Sequence, residues 1–141
     1  MMKIAIGSDH AGYEMKEFIK SQLSAEYEIV DCGTYSAEAV DYPDFAHKVA
    51  DLIVNGEVKY GILMCGSGNG VNIVANKHKG VRSVYCWMPE LAELGRKHND
   101  ANALALPARF IAKELALEIV KKFLITDFDG GRHERRVGKI E

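Results

Sequence analysis

Short apolar runs alternate with amphipathic helical patterns along the whole chain, and this alternation limits the possible folds more than any other feature of the sequence. The runs that predict strands are residues 3–7, 27–30, 60–64, 81–86 and 103–106. Between them, and after the last one, apolar residues recur at the spacing of one helix face. Strands connected by helices form a parallel sheet covered on both faces. We therefore predict an α/β fold, a three-layer α/β/α sandwich around a five-stranded parallel sheet.

The size and composition fit one folded domain spanning residues 1–141, of Rossmann-like architecture. A chain of 141 residues with 48% hydrophobic and 27% charged residues is neither disordered nor fibrous. Eighteen basic and twenty acidic residues leave a net charge of -2, so no global field attracts nucleic acid or an anionic membrane surface. Any anion that binds must therefore be held by a local site.

The apolar runs and the cysteines predict a cytoplasmic protein. No run approaches the roughly 18 residues of a membrane span, and the first apolar stretch is too short for a signal peptide. The three cysteines, Cys32, Cys65 and Cys86, include no CxxC pair, which indicates neither a disulfide framework nor a zinc site.

The loop after the third strand is the strongest candidate site, because ligands of open α/β sheets bind beyond the carboxyl ends of the strands. Gly66, Gly68 and Gly70 let backbone N–H groups approach an anion, although the spacing fits neither a P-loop nor a dinucleotide fingerprint. Cys65 precedes a helix amino terminus, a setting that stabilises a thiolate and suits a base or nucleophile. The alternatives are a tight turn and a small buried hydrophobic residue.

Other polar residues are expected at the same edge of the sheet. Asp9 follows the first strand and either accepts a proton from a substrate or caps the next helix. His98 precedes the fifth strand and either belongs to the site or responds to the helix dipole. Arg132 and Arg136 are four residues apart, so on a helical turn they share one face and can hold a phosphate. Otherwise they form a solvated tail.

Five motifs together resemble the type B ribose-5-phosphate isomerases, whose family also contains galactose-6-phosphate isomerase subunits. They are GSDHAG at 7–12, DYP at 41–43, CGSG at 65–68, HND at 98–100 and GGRHERR at 130–136. The resemblance covers the whole chain in order. It implies a five-stranded parallel sheet and interconversion of ribose 5-phosphate and ribulose 5-phosphate. It also implies no metal or organic cofactor, and a homodimer, or a dimer of dimers, whose active sites combine residues of two subunits.

The resemblance also implies residue roles. Cys65 matches the proton-transfer base, Ser67 the anion hole for the enediolate, and Asp9 with His98 the pair that opens the furanose ring. Ser67 stands where many relatives have threonine, and both carry the hydroxyl. The remaining positions match groups that bind substrate: His10, Tyr42, Gly66, Gly68, Asn69, Gly70, Asn99, Arg109, Arg132 and Arg136.

Two alternative functions remain open from the sequence. The same chemistry on a hexose 6-phosphate, of the allose or galactose type, is the nearer one, because loop shape sets the accepted length of the sugar. The second is a nucleotide- or flavin-binding module or a receiver-like domain, which rests on analogy of fold alone.

Overall fold

The computed structural model describes residues 1–141, and its five strands form one parallel sheet. The spatial order of the strands is β2-β1-β3-β5-β4, so the fifth strand lies between the third and the fourth. The three-layer architecture predicted from the sequence is confirmed. The strands are β1 Lys3–Ser8, β2 Glu28–Asp31, β3 Tyr60–Cys65, β4 Ser83–Tyr85 and β5 Ala103–Pro107.

Six helices cover the two faces of the sheet. A 3₁₀ turn over His10–Gly12 leads into the first of them. None of the helices has the length and apolar content that crossing a bilayer requires. The helices are α1 Tyr13–Leu23, α2 Tyr42–Val54, α3 Asn69–Asn76, α4 Pro89–Asn99, α5 Lys113–Ile125 and α6 Arg132–Val137.

The alternation of side chains along the strands divides the core into two clusters. Ile4 and Ile6 of β1 pack with Ile19 of α1 and Phe123 of α5 on one face. On the other face, Ala5 packs with Val49 of α2. Small residues on this second face allow the helices to come close to the sheet. A strand buried on both faces reads as a continuous apolar run, which is why residues 60–64 predicted a strand.

Two elements are shorter than the sequence predicts. The fourth strand lies at the edge of the sheet and has only one neighbour, so pairing is confined to Ser83–Tyr85. The broad apolar stripe near the end of the sequence predicts a last long helix over about residues 109–124, but that helix begins at Lys113. Its expected first residues instead bond across the sheet edge: the N–H groups of Ala108 and Arg109 donate to the carbonyls of Cys65 and Gly66, at 2.9 and 3.0 Å.

A buried lysine anchors the segment that follows β2. The Lys16 side chain is fully buried, and its Nζ lies 2.7 and 2.8 Å from the two carboxylate oxygens of Asp31. Burial alone would raise the pKa of this carboxyl, but the hydrogen bonds from Lys16 and Lys20 outweigh it and lower the pKa. Asp31 Oδ1 also accepts the N–H of Gly33 at 2.9 Å. This network fixes the start of the loop that leads to Tyr42.

Candidate active site

Cys65 lies at the carboxyl end of β3, where a reactive group can reach a ligand beyond the sheet. The thiol belongs to a buried residue, 5% exposed, at the end of a fully buried strand. The next carbonyl, that of Gly66, accepts the N–H of Arg109 and so joins the ends of β3 and β5. The Arg109 side chain lies against Gly66, with an arginine nitrogen 3.2 Å from where a Cβ would stand. A cysteine and an arginine are therefore adjacent at this edge.

The loop after Cys65 turns directly into the amino terminus of α3. Gly68 adopts a left-handed conformation with φ of 80°, and a Cβ there would lie 3.0 Å from the backbone of Leu106. Ser67 Oγ accepts the N–H of Asn69 at 3.2 Å, which leaves the hydroxyl proton free to donate elsewhere. The first N–H groups of a helix lack partners within the helix. The loop therefore presents hydroxyl and amide donors beside the thiol.

Tyr42 covers the beginning of α3. A Cβ on Gly70 would stand 2.5 Å from the Tyr42 ring, so only glycine allows this approach. Tyr42 begins α2, and Pro43 lies in the first turn, where the fixed φ of proline suits a helix start. The ring is 39% exposed, which leaves its hydroxyl end accessible to a ligand.

Asp9 caps the 3₁₀ turn that follows β1, which is one of the two roles that the sequence leaves open. Its Oδ1 accepts the N–H groups of Ala11 and Gly12, at 3.0 and 3.2 Å, which confirms the helix cap. The cap uses only one carboxylate oxygen, and Oδ2 remains for other chemistry. The neighbouring His10 accepts the N–H of Val40 at Nδ1, 3.2 Å away. Because Nδ1 accepts this hydrogen bond, the proton of the neutral His10 ring lies on Nε2, which is then free to donate.

These residues form the carboxyl-edge group, because each follows a strand at the carboxyl edge or begins the helix beyond it. Ser8, Cys65 and Pro107 mark this edge through the pairings Ser8 with Met64 and Cys65 with Pro107. The group consists of Asp9, His10, Tyr42, Cys65, Gly66, Ser67, Gly68, Asn69, Gly70 and Arg109.

His98 and Asn99 lie at the opposite edge, and the prediction that they join the carboxyl-edge loops is wrong for a single chain. They end α4, which returns to the amino end of β5, whose first residue is Ala103. Four residue steps of β5 separate that end from the register position of Cys65, a distance of about 13 Å at ~3.3 Å per residue. Arg132 and Arg136 belong with His98, because α6 packs on α4. We call His98, Asn99, Arg132 and Arg136 the amino-edge group.

Three members of the amino-edge group, His98, Asn99 and Arg136, line a cleft of about 350 Å³. Arg132 and Arg136 do lie on one helix, α6, as their spacing predicted. The ring of His98 stacks on the ring of His133, with centroids 4.2 Å apart and an angle of 13°. Burial, followed by the positive charges of its neighbours, lowers the pKa of His133. His133 has no role predicted from the sequence, although it lies between Arg132 and Arg136 in the same motif.

The other two cysteines behave as small buried hydrophobic residues. Burial raises the pKa of the Cys32 thiol to about 11 and that of the Cys86 thiol to about 12. Neither thiol ionises near neutral pH, so Cys65 remains the candidate for proton transfer. All three cysteines are free thiols.

Known proteins match this chain over nearly its full length. A ribose 5-phosphate isomerase structure from Thermotoga maritima has a TM-score of 0.96 and 54% identity, covering 99% of this chain and 97% of that one. Ribose-5-phosphate isomerase B of Escherichia coli is 45% identical over 141 residues, 99% of this chain and 95% of the relative. The structure of ribose-5-phosphate isomerase B from Mycoplasma genitalium with bound ribulose-5-phosphate has a TM-score of 0.94 and 42% identity, covering 99% and 93%.

The match to a family model spans residues at both edges of the sheet. A model of the ribose/galactose isomerase family matches residues 4–140, from the first strand to the end of the segment that carries the arginines. This range includes the carboxyl-edge and the amino-edge groups. The chain belongs to the ribose/galactose isomerase family.

Proposed function

We propose that the protein interconverts ribose 5-phosphate and ribulose 5-phosphate through an enediolate intermediate. The observation that carries the proposal is the match over the full chain to ribose-5-phosphate isomerases, at up to 54% identity in the structures compared. The carboxyl-edge group supplies what such a reaction requires: a base, donors for an oxyanion and groups that bind sugar hydroxyls and phosphate. Three free thiols fit a reducing compartment, so we place the enzyme in the cytoplasm.

Cys65 acts as the base in the isomerisation step. Its thiolate removes the proton from the carbon beside the carbonyl and returns it to the neighbouring carbon, while the proton on the hydroxyl oxygen moves to the other oxygen. The enediolate oxygen carries negative charge between these transfers. The Ser67 hydroxyl and the N–H of Gly70, in the first turn of α3, donate to this oxygen, whereas the N–H of Asn69 is held by Ser67 Oγ.

Ring opening precedes isomerisation, because the sugar binds largely as a furanose. Asp9 keeps one carboxylate oxygen outside its helix cap, and His98 contributes an imidazole, whose ring nitrogens act as donor and acceptor. One of them takes the proton of the anomeric hydroxyl while the other protonates the ring oxygen. Tyr42 and Asn99 bind the sugar hydroxyls.

Four cationic or N–H-bearing side chains hold the phosphate. Arg132 and Arg136 provide forked donors from one face of α6, and both are exposed. His10 offers its Nε2 proton, and Arg109 lies beside Gly66. The protein as a whole has a net charge of -2 and does not attract anions. The local concentration of positive charge therefore binds the anionic substrate.

The separation of the two groups supports an active site that combines residues of two chains. A proton transfer partner must lie within hydrogen-bond reach, about 3 Å, or one water molecule away. His98 and Cys65 of one chain lie on opposite edges of the sheet, about 13 Å apart along β5 alone. We infer a homodimer in which the carboxyl-edge group of each chain faces the amino-edge group of its partner.

The first test is the substitution Cys65→Ala. Loss of the base removes nearly all turnover, whereas the thermal unfolding curve and circular dichroism spectrum stay close to those of the wild type. Cys86→Ala is the matched control, because it removes a thiol that does not ionise and retains turnover. Near-normal isomerisation by Cys65→Ala would contradict this role.

The second test concerns the enediolate. Isomerisation in deuterated water should place deuterium on the carbon beside the carbonyl of the product, because a thiol exchanges its proton with solvent. Nuclear magnetic resonance of the product measures this label. A product without deuterium would indicate direct hydride transfer and would refute the enediolate route.

A hexose 6-phosphate substrate is the second candidate, since the matched family is described by both ribose and galactose. Steady-state kinetics with ribose 5-phosphate and allose 6-phosphate at the same enzyme concentration distinguish the two. We expect a higher kcat/KM for the pentose. A preference for the hexose would reassign the substrate while keeping the chemistry.

A further inference from the structure

Two histidines that line the amino-edge cleft lie close to an aspartate outside it, and the isomerase mechanism does not use these three side chains together. His98, Asp129 and His133 each offer one ligand atom, and these three atoms lie within 4.8 Å of one another. We propose that they form a zinc-binding site whose occupation inhibits the enzyme. The inhibition rests on the proposed function, but the binding does not.

The donor set matches zinc in kind and number. Two imidazole nitrogens and one carboxylate oxygen form the usual ligand set of an open zinc site, in which a water molecule takes the fourth position. Imidazole selects zinc, copper and nickel, whereas magnesium and calcium select oxygen ligands. Zinc is the test ion because it carries no redox chemistry that would complicate the cysteine at the other edge.

The donor positions require a small adjustment to coordinate one ion. Bonds of about 2.0–2.1 Å at a tetrahedral centre place neighbouring donors about 3.3 Å apart, so the largest separation must shrink by roughly 1.5 Å. The rings of His98 and His133 are stacked with an angle of 13°, which leaves their nitrogens side by side rather than converging. Rotation of one ring about its Cβ–Cγ bond directs both lone pairs to a common point.

The surroundings hold the three ligands in place. His133 is buried, 9% exposed, on the short helix α6, and His98 ends α4. Asp129 is exposed at its carboxylate, and its backbone N–H donates to the carbonyl of Lys97 at 3.1 Å, which ties it to the residue before His98. The carboxylate therefore has freedom to reach the ion while its backbone is fixed.

Two nearby arginines limit the affinity. Arg132 and Arg136 lie on the same helix as His133 and repel a divalent cation. We expect micromolar rather than nanomolar binding, which makes the site reversible. When zinc occupies it, the His98 nitrogen bound to the ion can neither donate nor accept the proton that ring opening requires. Ring opening stops, and phosphate binding by the arginines is altered as well.

Isothermal titration of the full-length protein with zinc chloride tests the binding directly. We expect one zinc ion per chain in the wild type, and affinity at least about tenfold weaker in Asp129→Asn and in His133→Gln, because each loses a ligand. Circular dichroism confirms that each variant is folded. Unchanged affinity in Asp129→Asn would refute the site.

Two control variants locate the ion. His47→Gln disrupts the other pair of histidines, His47 and His78, whose nitrogens lie 2.6 Å apart. Cys65→Ser removes the thiol of the carboxyl-edge group, which is another side chain able to bind zinc. Both should bind zinc as the wild type does. Loss of binding in either variant would place the ion elsewhere and overturn the proposal.

Inhibition is measured separately, by isomerisation in the presence of buffered free zinc. Asp129→Asn keeps the uninhibited rate, because Asp129 lies outside the catalytic and substrate-binding residues, and its half-inhibiting zinc concentration rises at least about tenfold. Magnesium at the same concentration leaves the rate unchanged. Equal zinc inhibition of wild type and Asp129→Asn would refute the inhibitory role. If the protein did not isomerise ribose 5-phosphate at all, the titration would still decide whether zinc binds.

Discussion

Mixing two inactive variants tests whether each active site combines two chains. Cys65→Ala lacks the base of the carboxyl-edge group, and His98→Gln lacks a ring-opening residue of the amino-edge group. In a heterodimer of the two, one site receives both defects and the other receives none. The second site contains Cys65 from one chain and His98 from its partner, so it is active.

The expected recovery follows from the geometry. Random association of equal amounts makes about half of the dimers mixed, and each mixed dimer has one active site of two, which gives about a quarter of wild-type activity. The two groups lie at opposite ends of β5, about 13 Å apart along the strand, so we expect no recovery in dimers of either variant alone. Assay of the unfractionated mixture measures this quarter, and mixed dimers isolated through two affinity tags after co-expression should show about half of wild-type activity.

A matched pair of variants controls for unspecific stabilisation. Ser67→Ala and Cys65→Ala both alter the carboxyl-edge group, so every site in their mixed dimer carries a defect, and activity stays at the level of the two variants alone. Recovery in this pair, or no recovery with His98→Gln, would refute the shared site. Dilution offers an independent check, because monomers without a partner lose activity before they unfold.

Two further predictions concern stability and are measured by urea unfolding. Gly68→Ala should lose at least about 2 kcal/mol in the free energy of unfolding, because alanine is strained at a φ of 80° and its Cβ meets the backbone of Leu106 at 3.0 Å. Gly80 has a φ of 91° and open space around it, so Gly80→Ala measures the backbone strain without the steric contact. An equal loss in the free energy of unfolding for the two variants would contradict the steric argument. Burial raises the pKa of Cys86 from 9.0 to about 12, so the folded state keeps its proton longer than the unfolded chain. The protonated Cys86 thiol therefore contributes to the free energy of unfolding, fully below pH 9 and less and less as the pH rises toward 12. At pH 10, the wild type should therefore have lost about 1 kcal/mol more than Cys86→Ala, and equal losses would refute the shift.

The sequence predicts the features that depend on local patterns. The glycines at 66, 68 and 70 predicted a tight turn that exposes backbone donors, and Gly68 does adopt the left-handed conformation that opens α3. The spacing of Arg132 and Arg136 predicted their common helix. Each of these predictions needs only the conformational preferences of neighbouring residues, which the sequence carries directly.

The position of His98 shows where local reasoning fails. Its place at the end of a helix before a strand assigns it to the amino edge of a parallel sheet, and the motif alone suggested that it joins Cys65. Within one chain the two residues lie at opposite edges. His133 is a similar case: its stacking on His98 depends on α6 folding back over α4, a long-range contact that no local pattern encodes.

The order of strands in the sheet has a consequence for synthesis on the ribosome. β4 hydrogen-bonds only to β5, which is made later, so it has no partner in the sheet when it first emerges. β1, β2 and β3 can pair earlier and leave one side of β3 open. The insertion of β5 into that gap completes the sheet and brings the last helices into place. A nascent chain that stalls before Ala103 therefore exposes an unpaired edge, where association with other chains competes with folding.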